Sequence, residues 1–191
     1  LSKGNGYGDL AQDGVVFVFR DIGGRVGSGG GVANLRPAKT TADGIDEATD
    51  TYDTIDWLVK NLPDNNGKLG TFGVSYGGLT AAGSAASGPP AVKGVSSQAS
   101  PEDMLIGDDF LHNGAFRLDY AWSWVSALET DGRMMNRFDF GTQDAYDWYL
   151  KQTDLANLDQ QKLGRSMPSW QNFVQHPSYD DFWKKGRTSH M

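Results

Sequence analysis

Gly73-Val74-Ser75-Tyr76-Gly77 could set a serine hydroxyl where a bound carbonyl can meet it. Lys68 to Val74 reads as a short strand, and Leu79-Thr80-Ala81-Ala82-Gly83-Ser84-Ala85-Ala86 as a helix of small residues. A Gly-x-Ser-x-Gly turn between strand and helix is the layout of a nucleophile elbow, which pushes its serine off the top of a sheet. The turn is sharp, so a Cβ at Gly73 or at Gly77 is expected to collide with the neighbouring strand or helix. Five residues are a weak pattern in a chain with 25 glycines; the flanking elements give the pattern its weight. A serine hydroxyl is a poor nucleophile without a base, and the chain has three histidines, His112, His176 and His190.

Positioning such a serine requires a sheet and covering helices. Residues 1–14 are polar and glycine-rich, with a short helix expected at Asp9–Gln12. Val15-Val16-Phe17-Val18-Phe19 is apolar without alternation, as in a strand covered on both faces of a parallel sheet. A loop with six glycines between Gly23 and Gly31 follows. It does not read as a phosphate cradle. It runs on as polar sequence through Thr41 with Pro37 inside it, where a dinucleotide fingerprint needs an immediate helix, and no G-x-x-x-x-G-K-[ST] occurs. A connection across the top of a sheet is expected instead. Asp43–Asn61 reads as a helix with an apolar stripe of Tyr52, Ile55, Leu58, Val59 and Leu62. Acidic residues crowd its first turns, Lys60 sits in its last, and Pro63 stops it. Asp64–Gly67 is a turn into the elbow strand, and Ala91–Ser97 a further strand. Strand–helix alternation over 15–97 implies a parallel sheet with right-handed crossovers. Beyond Glu102 the composition changes: all but one of the six tryptophans lie there. Helices are expected at 115–128, 143–151 and 154–163, and another segment opens at Pro168.

Bulk properties narrow the classes. The chain has 191 residues, 38% hydrophobic and 21% charged, with net charge −7. That is a globular composition, and its negative charge argues against nucleic acid or an anionic membrane as the main partner. There is no cysteine, hence no disulfide and no cysteine-ligated metal; neither metal nor cofactor is expected. No apolar run approaches the roughly 20 residues of a membrane span, and no signal-peptide pattern opens the chain. The compartment is left open, as is a homo-oligomer.

Four stretches resemble a known family. They are Val16-Phe17-Val18-Phe19-Arg20-Asp21 with Gly24-Arg25 and Gly27-Ser28; Asp50 to Asn61; the elbow Gly73 to Gly78; and Gly107-Asp108-Asp109-Phe110 with Gly114-Ala115-Phe116-Arg117. Tyr179-Asp180-Asp181-Phe182-Trp183 also fits. Together they are similar to α/β-hydrolases of the peptidase S15 type, the CocE/NonD hydrolases, and most of all to the α-amino-acid ester hydrolases. The resemblance implies an α/β fold. Residues 1–101 would form a partial α/β-hydrolase core with the elbow, 102–187 a helical cap, and 188–191 a tail. Family members are several times longer and carry further strands and a C-terminal jelly roll that this chain lacks. The family's acid and histidine follow the nucleophile in chain order, so both are expected beyond Met191, and none of the three histidines here is expected to be the base.

The resemblance makes Ser75 the nucleophile and the backbone N–H of Tyr76 one oxyanion donor. A tyrosine hydroxyl from an N-terminal segment supplies the other donor in the family, a role not carried onto Tyr7. Asp109 matches an aspartate that helps surround a substrate's α-ammonium group with carboxylates. A partly desolvated cation needs such anionic partners. The alternative is that Asp109 caps a helix beginning just after it. Gly77 departs from the bulkier acidic residue usual there. The function implied is a serine hydrolase of ester or amide small molecules, favouring α-amino-acid esters and β-lactam amides with an α-amino group. A carboxylesterase, an X-prolyl dipeptidyl peptidase, and a non-catalytic binding module remain as alternatives. The isolated chain is expected to be inactive and poorly stable.

Overall fold

The computed structural model describes residues 7–30, 39, 43–106, 110–130, 137–141 and 144–185. Helix α1 (Gly8–Gln12) opens them, followed by α2 (Glu47–Asn61), strand β1 (Leu69–Val74), α3 (Tyr76–Ala86) and β2 (Val92–Gln98). A hairpin of β3 (Leu111–His112) and β4 (Ala115–Phe116) comes next, then helices α4 (Leu118–Glu129), α5 (Ala145–Leu150), α6 (Leu158–Leu163), α7 (Pro168–Gln175) and α8 (Asp181–Lys185).

β1 and β2 pair in parallel, with Gly70 opposite Gly94 and Val74 opposite Gln98. The α3 crossover covers one face of this pair. Thr71 points into that face, its hydroxyl 2.7 Å from the Ser84 hydroxyl. Side chains alternate along a strand, so Phe72 and Val74 point to the opposite face, where both are exposed. Helix α2 starts where its cap allows. The Asp46 carboxylate accepts from the Thr49 N–H (2.8 Å), and the Thr49 hydroxyl accepts from the Asp46 N–H (2.9 Å). This reciprocal box satisfies two donors of the first turn, and the helix begins at Glu47 rather than Asp43. Its buried face is Glu47, Ala48, Thr51 and Ile55, four residues or fewer apart along one side. Tyr52, expected in the stripe, is exposed.

Val15–Phe19 is not a strand. Val16 is 64% exposed and Phe19 75%. A strand buried on both faces needs a ladder neighbour at its edge and a layer on each face; among the described residues β1 pairs only with β2, and Val15–Phe19 joins no ladder. The run stays close to β1, for the Tyr7 ring meets Phe17 at 5.1 Å and Phe72 at 6.1 Å between centroids. Arg20 ties its end to α2 through Asp50 and Thr51.

The second half holds the main core: Trp122 and Val125 of α4, Leu158 of α6, Met167, Trp170 and Phe173 around α7, and Trp183 of α8. Edge-to-face contact of Trp122 with Trp170 (5.1 Å) and stacking of Phe173 on Trp183 (5.7 Å) knit the helices together. Buried carboxylates organise the start of α7. Glu129 accepts from the Ser169 N–H (3.1 Å) and hydroxyl (2.6 Å), and Asp159 from the Met167 N–H (2.8 Å). Negative charge there complements the helix N-terminus. The β3–β4 hairpin occupies part of the helix expected from 115. Asn113 (φ 49°) and Gly114 (φ 85°) both take the left-handed backbone that a two-residue hairpin turn requires. No described helix is long and apolar enough to cross a membrane.

Candidate active site

The elbow is assembled by close backbone approaches. A Cβ on Gly73 would lie 2.0 Å from the Gly77 carbonyl oxygen, so only glycine fits. At Gly77 the expectation fails: a Cβ there meets nothing within 4 Å. The second tight glycine is Gly78, whose added Cβ would lie 2.5 Å from the Gln98 carbonyl oxygen. The reason is direction. Gly78 faces the end of β2, while Gly77 looks outward from the first turn of α3.

Between these glycines Ser75 has φ 59° and ψ −120°, a conformation that costs a residue with a side chain about 1–3 kcal/mol. Its surroundings over-determine it. The Ser75 N–H donates to the Gln98 carbonyl (2.9 Å), and its carbonyl accepts from the Leu79 N–H (3.1 Å). The Ser97 hydroxyl donates to the Gly78 carbonyl at 2.9 Å. Directly after Gln98, Ala99 is also left-handed at φ 46°. Two strained residues thus end the two parallel strands side by side. The Ser75 hydroxyl makes no capping hydrogen bond to α3. Ligands of open α/β sheets bind beyond the carboxyl ends of strands, where this serine stands.

Tyr76 is the first residue of α3, a position whose N–H lies outside the helix's own ladder. Its phenol donates to Glu47 Oε1 at 3.4 Å, and its ring lies 6.3 Å from that of Trp124. Trp124 in turn meets Phe110 edge-on at 5.3 Å. Residues two apart on a helix point in nearly opposite directions, so α4 aims Trp122 into its own core and Trp124 at the elbow. Arg25 also bonds to that helix. The glycine loop closes on itself through Gly24 N–H to Gly29 O (2.9 Å) and Gly27 N–H to Asp21 Oδ2 (3.1 Å). It buries the Arg25 guanidinium, which donates to the Leu128 carbonyl in the last turn of α4. A cation there is favourable to the helix dipole.

The other expected site residues fall elsewhere. Asp109 and His190 lie outside the described residues. The described residues that follow Asp109 form β3 and β4, and the N-cap of α4 is Arg117. His112 sits exposed in β3, its Nε2 3.3 Å from Asn113 Nδ2. His176 ends α7. Its Nδ1 is 2.6 Å from Asp180 Oδ2, its ring stacks on Phe182 at 4.3 Å, and its carbonyl accepts from the Trp183 indole. The hydrogen bond from His176 and the Phe182 N–H outweigh burial and hold the Asp180 carboxyl below its usual range. Neither imidazole bonds Ser75. Among the described residues no three histidine, aspartate or glutamate side chains converge as a metal site requires. Glu47, Gln98 and Trp124 were missed from sequence. Only Glu47 left a trace, as a charge four and eight residues before the buried Thr51 and Ile55.

The chain is similar to known proteins. The chain is 27% identical over 188 residues to a cocaine esterase of Rhodococcus sp. (strain MB1 Bresler), covering 92% of this chain and 31% of that protein. An aminopeptidase from a marine sediment archaeon, Thaumarchaeota archaeon, superposes with TM-score 0.79 at 36% identity, over 90% of this chain and 28% of that one. An α-amino acid ester hydrolase superposes with TM-score 0.82 at 28% identity, over 94% of this chain and 29% of that one. The chain therefore spans under a third of the length of these relatives. Its parallel strands and helices are part of an α/β-hydrolase fold. The profile of the X-Pro dipeptidyl-peptidase (S15) family matches residues 2–191, and the chain belongs to that family.

Proposed function

We propose that the protein is a serine hydrolase in which Ser75 attacks an ester or amide carbonyl. Its Oγ bonds to the carbonyl carbon while its proton passes to a general base. Collapse of the tetrahedral adduct expels the alcohol or amine and leaves an acyl-enzyme, which water then cleaves. The Tyr76 N–H faces the developing oxyanion as one donor. The base is neither His112 nor His176, which make their contacts away from Ser75. The observation that carries this reading is the left-handed Ser75 between β1 and α3, anchored by its N–H to Gln98. A strained serine at a strand end is a recurrent way to expose a nucleophile.

The favoured substrates carry an α-amino group, as α-amino-acid esters or β-lactam amides. Similarity to an aminopeptidase and to an α-amino acid ester hydrolase supports this choice, with Asp109 among the carboxylates that would hold the ammonium. A fluorophosphonate probe tests the nucleophile: stoichiometric labelling of Ser75 in the full-length protein is expected, and no labelling would leave a non-catalytic binding module. The substrate class is tested by comparing an α-amino ester with its des-amino analogue. The preference should exceed tenfold and fall in Asp109→Asn; an unchanged preference would favour a plain carboxylesterase.

A further inference from the structure

We infer that Glu47 is a positioning residue for the oxyanion donor at Tyr76. This rests on the serine-hydrolase reading above. Glu47 is only 2% exposed, and a buried carboxylate is costly unless it is hydrogen-bonded. One of its bonds is from the Tyr76 phenol to Oε1. That bond joins the first turn of α2 to the first residue of α3, next to Ser75.

Three features make the tether stiff. The Asp46–Thr49 capping box holds the backbone on which Glu47 sits. The Glu47 carbonyl accepts from the Thr51 hydroxyl at 2.7 Å. Helices α2 and α3 approach closely, since a Cβ on Gly83 would lie 3.6 Å from the Ala48 Cα. The Tyr76 ring is thus confined by a carboxylate at its hydroxyl end and by Trp124 from α4. A side chain pinned at its far end restrains rotation about its own Cα, and hence the direction of its N–H. An oxyanion donor acts only when pre-aimed at the charge that forms. A negative charge placed at the first turn of α2 is also favourable to that helix, so stability and alignment are served together.

The test uses the full-length protein and two readouts: the rate of Ser75 phosphonylation by a small fluorophosphonate, and kcat and KM for a p-nitrophenyl ester. Tyr76→Phe is expected to lower the phosphonylation rate and kcat about tenfold, a fraction of the loss seen when an oxyanion donor is removed outright, with KM within about twofold. Glu47→Leu should do the same, and Glu47→Gln, which keeps an acceptor, should lose less. The double variant Tyr76→Phe/Glu47→Leu should be no slower than either single one, because both cut the same tether. Multiplying losses in the double variant, or an unchanged phosphonylation rate in Tyr76→Phe with a wild-type melting curve, would overturn the inference. Losses that merely follow the melting temperature across the set would overturn it too. If wild-type Ser75 is not labelled at all, the serine-hydrolase reading itself fails; if it is labelled and the variants match it, only the role of Glu47 fails.

Discussion

At the scale of single residues, the elbow separates glycines needed for space from one that is not. Gly73→Ala and Gly78→Ala would drive a methyl to 2.0 Å and 2.5 Å from a backbone oxygen, and both should destabilise the protein by at least about 2 kcal/mol, as overpacking does. Gly77→Ala meets open space in the first turn of α3 and should be neutral or stabilising by up to about 1 kcal/mol, because alanine is the better helix former. Urea unfolding of the three variants checks the ranking. Ser75 carries the complementary expectation. Its φ of 59° suits glycine, so Ser75→Gly should be more stable than Ser75→Ala by about 1 kcal/mol. Equal stabilities would mean that the turn holds no strain. The pattern Gly-x-Ser-x-Gly located the sharp strand-to-helix turn and its tight Gly73. It misassigned the second tight glycine because spacing along a sequence does not say which way a Cα faces.

At the scale of elements, the start of α2 depends on one carboxylate. Burial pushes the Asp46 carboxyl up, but bonds from the Lys39 and Thr49 N–H groups and the Thr49 hydroxyl outweigh it and hold the group below its usual range. A carboxyl depressed in the native state adds stability that is whole above its unfolded pKa, near 3.9, and is lost as pH falls through the native value. Asp46→Ala should therefore cost about 1 kcal/mol at neutral pH, and its gap from wild type should close in acid below about pH 3.9. Chemical denaturation at pH 7 and in acid measures both. The sequence shows only acidic first turns in a helix expected from Asp43; that Asp46 is the cap depends on its side-chain bonds to Thr49. The β3–β4 hairpin turns at Asn113-Gly114, both at positive φ. Its second strand falls in the helix expected from 115, because the aromatic and apolar residues that follow have no strand alternation.

At the scale of the whole molecule, the two halves differ in how their apolar surface is covered. The second half closes an aromatic core from α4 to α8. The strand pair leaves one face open, with Phe72 53% exposed beside the uncovered Val15–Phe19 run. A contiguous apolar surface of this kind promotes association. The 191-residue chain by itself is expected to bind a hydrophobic dye and to self-associate with rising concentration. Val16→Lys with Phe19→Lys should weaken both while shifting stability by no more than about 0.5 kcal/mol, since both side chains are exposed. Light scattering and dye fluorescence report the outcome, and unchanged association would place the contact elsewhere.

Read alone, the sequence determined the Gly73–Gly77 elbow, the strand–helix–strand order around it, the acidic start and proline stop of α2, and the tryptophan-rich helical half. These are short-range matters, set by sterics, capping and periodicity within a few residues. Tertiary structure decided that Gly78 rather than Gly77 is the close approach, that Val15–Phe19 lies outside a ladder, and that Trp124 faces the elbow while Trp122 faces away. It also decided that Glu47 reaches Tyr76, 29 residues further along the chain. Contacts of that range depend on how α2, α3 and α4 pack, and no local pattern encodes the packing of one helix on another.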